Sequence, residues 1–189
     1  MKKLFLIIGA PGSGKTTDAE LIAVKHNNIT HYSTGDMFRA EVASGSQRGE
    51  IINTYISAGN IVPIDIAIET ILTAIKNAPT DVIIIDGYPR SLEQMTELDK
   101  YLANDREVVL VNCIEVVVCE EVARDRVLGR SRGSDDNVEV FNNRMKVYVE
   151  PLEQIQEFYT KKDLLKKING ERTIEKIVTE MDEYIQSKI

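Results

Sequence analysis

The chain has 189 residues, enough for one domain with a full core. Its hydrophobic share of 43% is that of an ordinary soluble globular protein, and no apolar run approaches the roughly 18 residues that a membrane span needs. A formal net charge of −7 argues against general binding to nucleic acid or anionic membranes, so anionic ligands must be held by local basic islands.

In chain order, the apolar run Leu4-Phe5-Leu6-Ile7-Ile8 is too short for a signal peptide and reads as a core strand. It leads straight into Gly9-Ala10-Pro11-Gly12-Ser13-Gly14-Lys15-Thr16, and residues 17–25 read as a helix. A short strand is predicted over 29–32. Ser33-Thr34-Gly35-Asp36 then forms a turn that offers N-caps to a helix from about Met37. Residues 37–59 read as two short helices broken at Ser44-Gly45-Ser46. Pro63 can start a helix over about 65–77, with Ile66, Ile68, Ile71, Leu72 and Ile75 on its apolar face. Val82-Ile83-Ile84-Ile85 is a continuous β-branched run, as in a strand covered on both faces. A helix over 92–102 and a buried strand over 108–114 follow. Residues 115–128 are predicted mostly helical, running into the basic loop Gly129-Arg130-Ser131-Arg132-Gly133. Ser134-Asp135-Asp136 is expected to cap a long helix over about 137–161, bent near Pro151. A last strand over 164–169 and a closing amphipathic helix over 174–187 complete the chain. Five strands alternating with helices predict an α/β fold with a parallel sheet and helices on both faces. Cys113 and Cys119 match no zinc or redox spacing and are expected to stay reduced in the cytoplasm. His26 and His31 show no ligand pattern and are expected to be structural.

Residues 9–16 match the G-x-x-x-x-G-K-[ST] phosphate-binding loop in full, in the strand–loop–helix context that it requires. Glycines let successive backbone N–H groups converge on a phosphate, and the helix N-terminus adds the positive end of its dipole. Lys15 supplies a mobile charge for the β and γ phosphates. The Thr16 hydroxyl is placed to meet magnesium. A second acid-bearing segment, Val82-Ile83-Ile84-Ile85-Asp86, has the shape of a strand whose terminal acid holds that ion or one of its waters.

Arg124, Arg126, Arg130 and Arg132 fall within nine residues that hold one acid, Asp125. Arg144, Arg39 and Arg90 lie near other motifs. Arginine suits planar, multidentate clamping of phosphate oxygens. Arg124, Arg48 and Arg106 read better as solvated surface charges. No motif supplies a general base of the H-R-D type. A phosphate monoester acceptor needs none, since its second pKa is about 6 and its oxygen is already a nucleophile.

Gly9 to Thr17, Ser33-Thr34-Gly35-Asp36-Met37-Phe38-Arg39, Gly59-Asn60-Ile61-Val62-Pro63, Asp86-Gly87-Tyr88-Pro89-Arg90, Arg126-Val127-Leu128-Gly129-Arg130 and Asp135-Asp136 through Arg144 occur in the order and spacing of adenylate kinases. The chain resembles that family over essentially its whole length. The resemblance implies a three-layer core (residues 1–32, 63–128 and 137–189) on a five-stranded parallel sheet. A nucleoside-monophosphate-binding insert over 33–62 and a lid over 129–136 would close on the substrates. It implies that Gly12, Ser13, Gly14, Lys15, Thr16 and Thr17, with Arg126, Arg130, Gly170 and Arg172, bind ATP. Thr34, Arg39, Asn60, Ile61, Val62, Gly87, Tyr88, Pro89, Arg90 and Gln94, with Arg132 and Arg144, would bind AMP. Lys15, Arg90, Arg126, Arg130, Arg132 and Arg144 would carry the transfer of phosphate between ATP and AMP to give two ADP. Magnesium would sit with Thr16 and Asp86, and Tyr88-Pro89 would be a cis peptide. The Gln94 amide is expected to pair with adenine.

The chain also departs from the family. Thr16 stands where glycine is usual, Asn60 where lysine is common, and an eight-residue lid leaves no room for the four-cysteine zinc site of some relatives. Arg124 is the alternative to Arg132 in that lid. Nothing in the pattern demands more than a monomer. The alternatives are a UMP/CMP kinase, opposed by Thr34 and Gln94, and a P-loop GTPase switch. The switch finds only Thr160-Lys161-Lys162-Asp163, at the charged end of a helix instead of after a strand.

Overall fold

The computed structural model describes residues 1–130 and 136–189. Its centre is one parallel sheet of five strands: β1 (Lys2–Gly9), β2 (Ile29–Ser33), β3 (Val82–Asp86), β4 (Val108–Val117) and β5 (Leu165–Asn169), in the order β2-β3-β1-β4-β5. β1 is flanked by β3 (Leu4 opposite Ile83) and by β4 (Leu6 opposite Cys113). Leu4 to Ile7 and Ile83 to Ile85 are fully buried, because helices cover both faces of these strands. One face buries Leu4, Leu6, Ile8, Ile83, Ile85 and Tyr88; the other buries Phe5, Ile7, Ile84, Ile114 and Val116. This alternation is the period of two that a pleated strand imposes.

The second face is closed by α1 (Lys15–Lys25) and α9 (Ile174–Gln186). The first is closed by α4 (Ile64–Asn77), α5 (Leu92–Asn104) and α8 (Leu152–Lys161). Two short helices, α2 (Thr34–Ala43) and α3 (Gln47–Ile56), meet the start of α4 over a separate cluster that includes Phe38, Ile52, Val62 and Ala67. α6 (Glu120–Gly129) and α7 (Val138–Val149) flank residues 131–135 in sequence and share a cluster with Ala10.

Four boundaries differ from the sequence reading. α2 starts at Thr34, because the Ser33 hydroxyl accepts from the Asp36 N–H and draws the turn into the helix. β4 runs on to Val117, and α6 begins only at Glu120. Glu115 is the reason: it is 2% exposed on the strand, with its carboxylate accepting from Gln156 Nε2 at 2.9 Å. The cap of α7 is Asn137, whose Oδ1 accepts from Val140 N–H at 3.0 Å. Ser134 and Asp135, expected in that role, lie outside the described residues. The bend near Pro151 is a break between α7 and α8.

Candidate active site

Parallel strands aim their carboxyl ends at one edge of the sheet, where connecting loops make a crevice. β1 ends there at Gly9, and the chain turns through Gly12 (φ 81°) and Gly14 (φ 94°) before α1 starts at Lys15. A Cβ on Gly12 would lie 2.4 Å from the Ala123 carbonyl oxygen, so the loop lies directly on α6 and only glycine fits. Gly14 caps α1 without a side-chain hydrogen bond, which leaves the helix's first N–H groups to an anion. Lys15 Nζ donates to the Ala10 carbonyl at 3.2 Å. Burial above all lowers the Lys15 ammonium to about 7; Asp86 opposes that shift, and Arg90, Arg144 and Arg130 add to it. Phosphate charge delivered among these cations would favour the protonated form again.

Thr16 Oγ1 donates to Asp86 Oδ1 at 2.8 Å, and His31 Nε2 lies 2.6 Å from Asp86 Oδ2. The Asp86 side chain is 2% exposed, so both oxygens are held in fixed directions. Hydroxyl and carboxylate oxygens are hard donors of the kind magnesium takes beside phosphates and waters. Among the described residues, no group of three or more His, Cys, Asp or Glu could hold a metal by itself. The Thr16–Asp86 pair therefore fits an ion carried in with phosphates.

Two clefts open beside the loop. The first, of about 440 Å³, is lined by Gly12, Ser13, Gly14, Thr17, Asp18, Arg126, Arg130, Arg172, Thr173, Ile174 and Ile177. Arg126 spans it, donating to the Ser13 carbonyl (3.3 Å) and the Gly170 carbonyl (2.9 Å). Arg130 is held by Asp136 at 3.2 Å, and Arg172 by Glu180 and the Asn169 carbonyl. Asp18 is 1% exposed, and burial raises its carboxyl to about 7 against the pull of Arg126 and Lys15.

The second cleft is lined by Lys15, Arg90, Arg144, Gly87, Pro89 and the turn Gly59-Asn60-Ile61, over a floor that includes Tyr148, Leu152 and Ile155. Gly87 (φ 79°) follows β3, and the Tyr88-Pro89 bond is cis. Arg90 Nε donates to the Gly87 carbonyl at 2.8 Å, while Gln94 Oε1 accepts from the Arg90 N–H at 2.7 Å. Burial, reinforced by Arg144 and opposed by Asp86, lowers the Arg90 guanidinium to about 10. Thr34 packs near Gly87, 3% exposed, with no hydrogen-bond partner for its Oγ1 among the described residues. Arg39 lies over Gly35 and pairs with Asp36 at 2.6 Å.

The model of the adenylate kinase family matches residues 7–164. The chain is 65% identical to the adenylate kinase of Wolinella succinogenes over the whole of both chains. It is 64% identical to that of Helicobacter hepaticus over the whole of both, and 64% to that of Nautilia profundicola over 100% of this chain and 98% of the relative. The chain belongs to the adenylate kinase family.

Of the family residues expected from sequence, Gly12, Ser13, Gly14, Thr17, Arg126, Arg130 and Arg172 line the first cleft, and Lys15, Asn60, Ile61, Gly87, Pro89, Arg90 and Arg144 line the second. Thr16, Thr34, Arg39, Val62, Asp86, Tyr88, Gln94 and Gly170 line neither. Val62 is 4% exposed inside the cluster between α2, α3 and α4. Tyr88 is fully buried and donates from its hydroxyl to the Gln94 carbonyl at 2.7 Å. Gln94 turns its side-chain oxygen to Arg90, so the group it keeps for a ligand is the NH₂. Arg132 lies outside the described residues. Arg124 is exposed on α6 and lines neither cleft. Sequence reasoning took His31 as structural and passed over Asp18 and Tyr148. Only the pairing of β2 with β3, which sets Ser33 opposite Asp86, reveals that His31 lies within reach of that acid. Asp18 carries a fainter signal, as an acid one turn into the loop's helix.

Proposed function

We propose that this enzyme transfers a phosphoryl group reversibly from MgATP to AMP, giving two ADP. The observation that carries the reading is Lys15, which directly follows Gly14, a residue lining the basic cleft on the phosphate-binding loop, and itself lines the cleft of Arg90 and Arg144. The first holds ATP: its phosphates lie on the N–H groups after Gly12, and its base lies near Arg126, Gly170 and Arg172. The second holds AMP: Thr34, Gly87 and Gln94 flank the nucleoside, Arg39, Arg90 and Arg144 take its phosphate, and Asn60 to Val62 close over it. Thr16 and Asp86 would hold magnesium, which offsets charge on the phosphate oxygens.

Transfer is in line and direct. The AMP phosphate oxygen is the nucleophile, so this chain's residues position and neutralise; they need remove no proton. Lys15, Arg90, Arg126, Arg130, Arg132 and Arg144 surround the moving group. Residues 33–62 and the lid over 129–136 exclude the water that would otherwise compete with AMP. No helix among the described residues is long and apolar enough to cross a membrane. A cytoplasmic monomer working on free nucleotides is the setting this reading assigns.

The test is the initial rate with MgATP and each of AMP, UMP, CMP and GMP, beside a control without acceptor. Rapid ADP formation with AMP alone is expected. Preference for UMP or CMP would overturn the base assignment, and acceptor-independent hydrolysis would overturn the reaction.

A further inference from the structure

β4 carries an acid inside a buried run. Cys113, Ile114 and Val116 are fully shielded from solvent, and Glu115 among them is 2% exposed. A carboxylate in such a place is strongly unfavourable unless hydrogen bonds hold it. Both of its oxygens lie 2.9 Å from Gln156 Nε2 of α8, and Oε1 accepts from the Tyr148 hydroxyl of α7 at 3.4 Å. Burial, aided by Glu115, pushes the Tyr148 phenol above its ordinary value, so it keeps the proton that it donates. Lys167 Nζ on β5 stands 3.8 Å from Oε2 and is half exposed. One acid thus joins two helices to the sheet. Along β4, Glu115 pairs in register with Ile8, one residue before the phosphate-binding loop begins at Gly9. On the helix side, Tyr148 follows Arg144 by one turn, and that spacing sets the two on one face of α7. Both line the cleft that holds Lys15, and Ile155, the neighbour of Gln156, lines its floor.

We propose that Glu115 is a positioning residue for phosphoryl transfer: through Gln156 and Tyr148 it ties the corner between α7 and α8 to β4, and so fixes where Arg144 stands against Lys15. The inference rests on the reading of Arg144 as a cation that neutralises the moving phosphoryl group. Lys15 is set by β1 and its loop, whereas Arg144 arrives on a helix from a later part of the chain. The Glu115 contacts join these two frames beside the start of the loop. An apolar residue at 115 would pack the strand as well, but it would give the helices no directional partner. Charge stabilisation depends on groups already in place, and a shift of about 1 Å can cost about a hundredfold in rate. Glu115 lines neither cleft, so its effect passes through Arg144.

The test is a double-mutant cycle on kcat. Glu115→Leu, which fills the site without an acceptor, should lower kcat about tenfold while the KM for ATP stays within about twofold. Glu115→Gln, whose amide oxygen still accepts from Gln156, should recover most of that loss. In an Arg144→Ala background, already slow, Glu115→Leu should cost less than about twofold more, because the group it positions is gone. Gln156→Met breaks the same bonds from the helix side and should follow the same pattern in both backgrounds; it decides the matter if Glu115→Leu fails to fold. Losses of equal size in the two backgrounds would overturn the tie, as would parental kcat in both Glu115→Leu and Gln156→Met. Parental turnover in Arg144→Ala, or a parent enzyme without AMP-dependent turnover, would instead overturn the functional reading. The parent and that single variant, measured first, separate this result from failure of the tie.

Discussion

Arg90 is anchored through Nε to the Gly87 carbonyl, while its backbone N–H is fixed by Gln94. Among the described hydrogen bonds, neither terminal nitrogen is used, so the fork is set for phosphate oxygens. Arg90→Ala should therefore lower kcat by about 10²- to 10³-fold, the loss typical of one preorganised charge-stabilising group. The melting temperature should stay within a few degrees, and near-normal turnover would refute the placement of the acceptor phosphate. Arg90→Lys should recover little, since an ammonium has no planar fork. At this scale the sequence was legible where a residue's chemistry depends on its own motif: Lys15, Thr16, Asp86 and Arg90 each announce themselves by their neighbours. It was illegible where chemistry arises between strands far apart in the chain. His31 meets Asp86 across 55 positions, and Glu115 meets Gln156 across 41.

Elements were readable when their pattern was local. The β-branched run of β3 and the break at Ser44-Gly45-Ser46 between α2 and α3 needed no tertiary information, and both stand where expected. Glu115 was misread because an acid interrupts the apolar run of β4, whereas its burial is supported by Gln156 and Tyr148 from helices that follow much later. The pairing of α2 with α3 is another tertiary constraint. A Cβ on Gly49 would lie 2.3 Å from the Glu41 carbonyl oxygen, against backbone that cannot swing aside. Gly49→Ala must separate the two helices and should destabilise the protein by about 1–3 kcal/mol in urea denaturation. Because the two helices share the cluster that holds Val62, the KM for AMP should rise as well. Unchanged stability would mean that the helices pack less tightly than their contact implies.

The whole molecule carries a net charge of −7, yet it gathers Arg90, Arg130 and Arg144 close enough to Lys15 to add to the lowering of its ammonium that burial causes. Such a cluster is self-repelling without a ligand, and β1, β3 and α7 must hold it against that repulsion. An anionic nucleotide removes the repulsion in the folded state and finds no such site in the unfolded chain, so binding must appear as stability. At a hundred times its Kd, a non-hydrolysable ATP analogue with magnesium adds about 2.7 kcal/mol by mass action. For a chain of this length, each kcal/mol moves the melting temperature by about 2–4 °C, so a rise of about 5–11 °C is expected in a thermal scan. AMP at the same multiple of its Kd should give a comparable rise through the second cleft. A shift with ATP analogue alone would confine nucleotide binding to the phosphate loop. That result would leave the Arg90 and Arg144 cleft without its assigned ligand, and the basic cluster would then serve the donor only.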